Sequence, residues 1–320
     1  MDNLIFSLNA TLPIFFTMLL GSFFKRVGLI DEAFSAKMNK FAFAVALPAL
    51  LFQDISAVDI RESWNGGFVL FCFIATFLSI TGVTVLSFFV VKREERGEFV
   101  QGAYRSSAAI LGIAFIQNIY GTSGMAPLMI VAAVPLFNIF AVVVLTFKAH
   151  PADSSEAVKA GRGNNIKKAF VNILKNPIII GIVLGFISSM LNMKYPAIIN
   201  KTIESLAQTA TPIALICIGA GFEGRKALKK IKPTIIATFI KLIGLAAVFI
   251  PVAVFLGFRN QELVAALIML ASPTTVTSYV MAKSMDNDEV LSSSIIVLTT
   301  VLSSITLTGW IFILRALGLI

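Results

Sequence analysis

Acid–base and metal chemistry have little to work with in this chain. One histidine, His150, and two cysteines, Cys72 and Cys217, occur among 320 residues, which leaves neither a disulfide framework nor a zinc cluster. Charged residues make up 13% of the chain, against about 25% in soluble proteins. The middles of the apolar stretches carry no pair of carboxylates. A general acid–base set is therefore missing, and so are the buried acids that a cation–proton exchanger needs. No GxxxxGK[ST] phosphate loop is present, which excludes ATP as an energy source. These absences argue against an enzyme and leave no cofactor and no metal site to expect.

What remains is apolar. Hydrophobic residues account for 57% of the sequence and the mean hydropathy is +0.89, the profile of a protein that lives in lipid. About 20 apolar residues cross the ~30 Å of a bilayer core. About ten such stretches are expected: Leu4–Phe24, Met38–Ile55, Gly66–Val91, Gly102–Tyr120, Met125–Phe147, Pro177–Met193, Thr202–Phe222, Pro233–Gly257, Leu263–Lys283 and Val290–Leu314. They fill residues 1–320 as one transmembrane domain. The first stretch lacks a basic leader and is read as retained, not as a signal peptide.

A formal charge of +9 raises the question of nucleic acid, and its distribution answers it. Most Lys and Arg fall in alternate loops, from Lys25–Lys40, Lys92–Arg105, Lys148–Lys175 and Arg225–Lys232 to Lys283. Only Arg61, Lys194, Lys201, Arg259 and Arg315 fall on the other side. The positive-inside rule then predicts a multi-pass plasma-membrane protein with both termini extracellular, and no nucleic-acid partner. The loop from Asp54 to Glu62 is expected outside.

Pro13, Gly21 and Pro48 recur as Pro177, Gly185 and Pro212, each 164 positions further on. The sequence thus reads as two copies of one design, residues 1–147 and 177–320, joined by a polar cytoplasmic linker at 148–176. Five spans per copy force the second to run upside down. An inverted repeat with interrupted spans is the sequence mark of a secondary transporter.

Backbone may leave helical geometry inside a bilayer only where protein or a water-filled cavity satisfies it. Helix breakers in mid-span therefore mark candidate sites. Pro273 lies in a hydroxyl-rich run, Ser272-Pro273-Thr274-Thr275-Val276-Thr277-Ser278, and Gly112 lies near the matching point of the fourth span. Pro48 and Pro212 are the other expected helix breaks. Two broken spans meeting at mid-depth offer free N–H groups and a partial positive charge, which suits a carboxylate. Lys241, eight residues into its span, has two readings: a positive charge for that site, or a side chain that snorkels to the basic face.

The segments Pro13–Gly21, Leu47–Phe52, Arg105–Gly121, Thr211–Ala220, Ser272–Lys283 and Thr299–Leu307 resemble the auxin efflux carrier family. That resemblance implies an all-α integral membrane protein of ten helices, a 5+5 inverted repeat whose fourth and ninth helices are broken and cross, carrying organic anions such as malate or malonate. The family's fourth-span pattern of Arg, Asn, Gly, Gly and Pro corresponds here to Arg105, Ser107, Ala109, Gly112 and Ala114, and Asn138 matches an Asn the family often carries. The expected substrate-binding set is Ser107, Gly112, Asn138, Pro273, Thr274, Thr275 and Lys241. The expected partners are a small carboxylate and the lipid bilayer, with a homodimer left open. A Na⁺-coupled importer of the bile-acid type and an anion channel or sensor on the same fold are the alternatives.

Overall fold

A computed structural model describes residues 2–57, 65–108, 116–117, 119–121, 124–149, 171 and 174–320. Every regular element among them is helical. We label the principal helices α1 (Asp2–Arg26), α2 (Glu32–Ser56), α3 (Gly66–Val90), α4 (Arg96–Tyr104), α5 (Ala126–Ala149), α6 (Pro177–Met190), α7 (Ala197–Gly221), α8 (Ile231–Phe255), α9 (Asn260–Ala271), α10 (Thr277–Ser284) and α11 (Glu289–Ala316). Six of these, α2, α3, α5, α7, α8 and α11, are long and apolar enough to cross a membrane, and α6 and α9 are shorter apolar helices. The stretch expected at Leu263–Lys283 is divided between α9 and α10. The expected linker at 148–176 lies almost wholly outside the described residues, as does Gly112.

Polar caps at the helix starts explain where these elements begin, since the first N–H groups of a helix have no partner of their own. Asp31 accepts the Phe34 N–H at 2.7 Å ahead of α2, and Asn65 accepts the Phe68 N–H at 3.1 Å ahead of α3. Asn176 accepts from Ile178 at 2.9 Å, with Pro177 in the first turn of α6 where its missing N–H costs nothing. Asp288 caps α11 through the N–H groups of Val290 and Leu291. The same carboxylate meets Lys230 at 3.0 Å, and Lys230 also reaches Glu95. Burial works against the charge on Asp288, but Lys230 and the two backbone donors outweigh it and hold the carboxyl below its ordinary pKa.

Two helix pairs pack with backbones almost touching. On α1, a Cβ at Gly21 would collide with the Ile216 backbone of α7, and one at Gly219 on α7 would collide with the Met18 carbonyl of α1. On α6, Gly181 and Gly185 lie against the backbone of Pro48 and Phe52 of α2. Small residues allow this approach, which is how helices associate where lipid removes the hydrophobic drive. A shift of 164 converts Gly21 into Gly185, so the α1–α7 contact has the α6–α2 contact as its counterpart. Gly219→Ala is expected to destabilise the protein by about 1–3 kcal/mol through overpacking, read as a lower melting temperature in detergent. Gly309→Ala on α11, where an added Cβ meets nothing within 4 Å, should leave it unchanged.

Pro48 and Pro212 do not break their helices, which corrects the expectation for both. Pro212 sits inside a continuous α7. Pro48 follows a π-turn at Ala42–Ala46, and α2 runs on to Ser56. A proline removes one N–H and crowds one carbonyl, which a membrane helix can absorb locally. The interruptions lie elsewhere, at residues 105–107 after α4 and residues 272–276 between α9 and α10. The helix before the first interruption starts at Arg96 instead of Gly102, and Asp54, placed by the sequence both in the Met38–Ile55 stretch and at the start of the following loop, belongs to α2.

Candidate functional site

The two interruptions meet. The Ser107 N–H donates to the Pro273 carbonyl at 2.9 Å, and the Ser106 hydroxyl donates to the Met269 carbonyl. Beside this contact lies a cavity of about 40 Å³ measured to the centres of water-sized spheres, room for a few waters at about 10–15 Å³ each. Leu50, Leu51 and Asp54 from α2 line it, with Arg105–Ala108 after α4, Val134, Phe137 and Asn138 from α5, Thr211 from α7, and Thr275 and Thr277 at the second interruption.

Arg105 is the dominant group of the site. Its side chain is buried, with the residue 1% exposed. Nη2 donates to Asn138 Oδ1 at 2.7 Å and to Thr277 Oγ1 at 2.8 Å, and Nη1 donates to Met281 Sδ at 3.0 Å and more weakly to Gln101 Oε1 at 3.4 Å. Nε has no partner among the described residues. All four acceptors are neutral, and no described ion pair includes Arg105. A buried cation without a directly paired counter-ion is costly. Its position just past the last turn of α4 recovers part of that cost, because the C-terminal end of a helix favours positive charge. The rest favours any anion that enters the cavity.

The structure brings together Ser107, Asn138 and Thr275 from the expected set and places Thr274, Pro273 and Lys241 otherwise. Thr274 is turned away: its hydroxyl donates to the Gly102 carbonyl at 2.6 Å and its N–H donates to Thr299 Oγ1 at 3.1 Å. It is a brace of the interruption and not a ligand. Pro273 contributes its carbonyl to this contact, where it accepts the Ser107 N–H. Lys241 neither snorkels nor lines the cavity. It is 0% exposed, and its Nζ donates at 2.5 Å to the Leu270 carbonyl in the last turn of α9, an end that attracts cations.

Arg105, Asp54, Thr211 and Thr277 are the lining residues that the sequence reading missed. Arg105 was grouped with the basic loop because the fourth span was drawn from Gly102. With the helix starting at Arg96, nine residues precede it, or about 13 Å of rise. The available signal was the fourth-span pattern itself, which opens on Arg105.

Residues 6–311 match the model of a family described as membrane transport protein. The chain belongs to this family, the auxin efflux carriers. Among its relatives is a Rhizobium meliloti (strain 1021) protein named "Putative malonate transporter", 27% identical over 317 residues and covering 95% of each chain. A protein of Escherichia coli (strain K12) named "Uncharacterized transporter YfdV" is 23% identical over 87% of this chain and 88% of its own. A mouse protein named "Lysosomal cholesterol signaling protein" is 25% identical over 69% of this chain and 26% of its own.

In this auxin efflux carrier family member the position of Lys241 makes a specific prediction. Lys241→Met alters a side chain that does not line the cavity, so substrate affinity should change less than about threefold, below the ~1.4 kcal/mol that a tenfold change represents. Isothermal titration of the detergent-purified variant reads this directly.

Proposed function

We infer that the chain is a secondary carrier of small carboxylates. It would bind them beside Arg105 at the crossing of two interrupted helices and move them by alternating access. One observation carries this reading: a buried guanidinium, held by Asn138 and Thr277, lines a cavity and lacks an acidic partner among the described residues. Arginine's planar fork matches a carboxylate in two-toothed fashion. The hydroxyls of Ser107, Thr275 and Thr277 supply further donors around the same space. The small cavity favours a compact acid over a bulky aromatic one. A relative named for malonate supports the same class.

The ten-span, 5+5 inverted arrangement belongs to this reading. It is supported by the 164-residue spacing and by the α1–α7 and α6–α2 glycine contacts that correspond under it. The basic loops then face the cytoplasm and both termini face outward. Labelled malonate uptake into proteoliposomes tests the carrier, with saturable uptake that unlabelled malonate competes as the expected result. Ion currents beyond carrier turnover would make it a channel. Loss of uptake when choline replaces Na⁺ would make it a Na⁺-coupled importer.

A further inference from the structure

Asp54 lines the same cavity as Arg105, and the carrier reading above makes no use of it. It sits one turn after Leu50 on the cavity-facing side of α2. It joins no ion pair or hydrogen bond among the described residues, so it and Arg105 face one space without being paired. The helices packed around α2 bring little other charge. α6 has no titratable side chain, and neither does the part of α5 whose side chains are described. On α7, Lys201 and Glu204 lie towards the exposed first turns and Cys217 is buried. On α10, the Tyr279 hydroxyl donates to the Cys217 carbonyl and Lys283 pairs with Glu289.

We propose that Asp54 is the proton-coupling group of the carrier, ionised when the cavity is empty and protonated when a substrate carboxylate lies beside Arg105. The argument is one of charge. The empty cavity holds one guanidinium and one carboxylate and is neutral overall. An arriving carboxylate makes two anions for one cation in a space that excludes most water. Two carboxylates sharing a site do not both stay ionised, because each raises the pKa of the other. The substrate takes Arg105, with its fork geometry, and Asp54 accepts a proton from solvent: Asp–COO⁻ and H₃O⁺ give Asp–COOH and water. Substrate and proton then cross together, so a proton gradient drives the carboxylate.

This proposal rests on the carrier reading, and the test separates the two. Malonate binding to the purified full chain is measured by isothermal titration between pH 7 and pH 9, in buffers of different ionisation enthalpy. In the wild type, binding should take up about one proton, and affinity should fall by up to tenfold per pH unit. Asp54→Asn should bind malonate with a pH-independent affinity and no proton uptake, whereas Asp54→Glu should keep both. Unchanged proton uptake in Asp54→Asn overturns the proposal and leaves the carrier reading standing, as does wild-type binding without proton uptake. If Asp54→Asn fails to fold, wild-type proton uptake and the behaviour of Asp54→Glu still decide. No binding of malonate or any small carboxylate to the wild type overturns both.

Discussion

Arg105→Gln should lose the proposed carboxylate binding and keep its fold. Removing one member of a buried, hydrogen-bonded charge pair costs about 2–5 kcal/mol, which is about thirtyfold to several-thousandfold in affinity. The lower end applies if water fills the space, and the upper end if the substrate carboxylate is left desolvated. Stability should move the other way or not at all. In the empty protein Arg105 is a buried charge with only neutral acceptors, and replacing a poorly compensated buried charge is often neutral or stabilising. Glutamine keeps one amide donor for Asn138 or Thr277. Arg105→Lys should recover only part of the affinity, because an ammonium cannot reach Asn138, Thr277 and a carboxylate with the geometry of a fork. Titration with malonate together with the melting temperature of the same sample reads both effects. Wild-type affinity in Arg105→Gln would remove the central group of the site.

Much of this architecture is legible in the sequence because hydropathy and prolines act locally. Six apolar stretches correspond to helices long enough to cross a bilayer, and the hydroxyl-rich run at Pro273 does fall at an interruption. Ser107, Asn138 and Thr275 do share one cavity. What was not legible depends on neighbours. The segment from Gly97 to Tyr104 contains Glu98 and Gln101 and reads as the rim of a span, yet all of it is buried by surrounding helices. That burial carries Arg105 inward, and no window of average hydropathy detects it. Asp54, at the end of an expected stretch and the start of an expected loop, was given no role, since a charge there is most often interfacial. Proline was over-read in turn. Pro48 and Pro212 leave their helices continuous, while the interruption at Pro273 is held by hydrogen bonds to Gly102, Ser107 and Thr299 outside its own helices.

That distinction leads to the largest structural effect to be expected from a pair of substitutions, Pro273→Ala with Thr274→Val. Ser272 is extended, with φ −70° and ψ 158°, as suits a residue preceding proline. Beyond it the chain is anchored by the Thr274 hydroxyl on Gly102, the Thr274 N–H on Thr299 and the Pro273 carbonyl on the Ser107 N–H. Alanine lifts a helix penalty of about 3 kcal/mol, and valine removes the hydroxyl anchor on Gly102, about 1 kcal/mol, while the Thr274 N–H and the Pro273 carbonyl only exchange their present partners for helical ones. The sum, about 4 kcal/mol, would take a 99:1 population to about 1:9, short of the ~5.5 kcal/mol that inverts it. Residues 260–284 should then run as one helix, and Thr275 and Thr277 would leave the cavity. Arg105 would lose a partner. Malonate uptake should fall by about tenfold, in proportion to the competent population, with cooperative melting retained. Pro251→Ala provides the control, since Pro251 already lies within the continuous α8 and its replacement should leave uptake near wild type. If the double variant transported like wild type, the interruption at Pro273 would have no part in binding. Equal losses from both variants would mean that proline itself, and not the crossing it permits, is what transport requires.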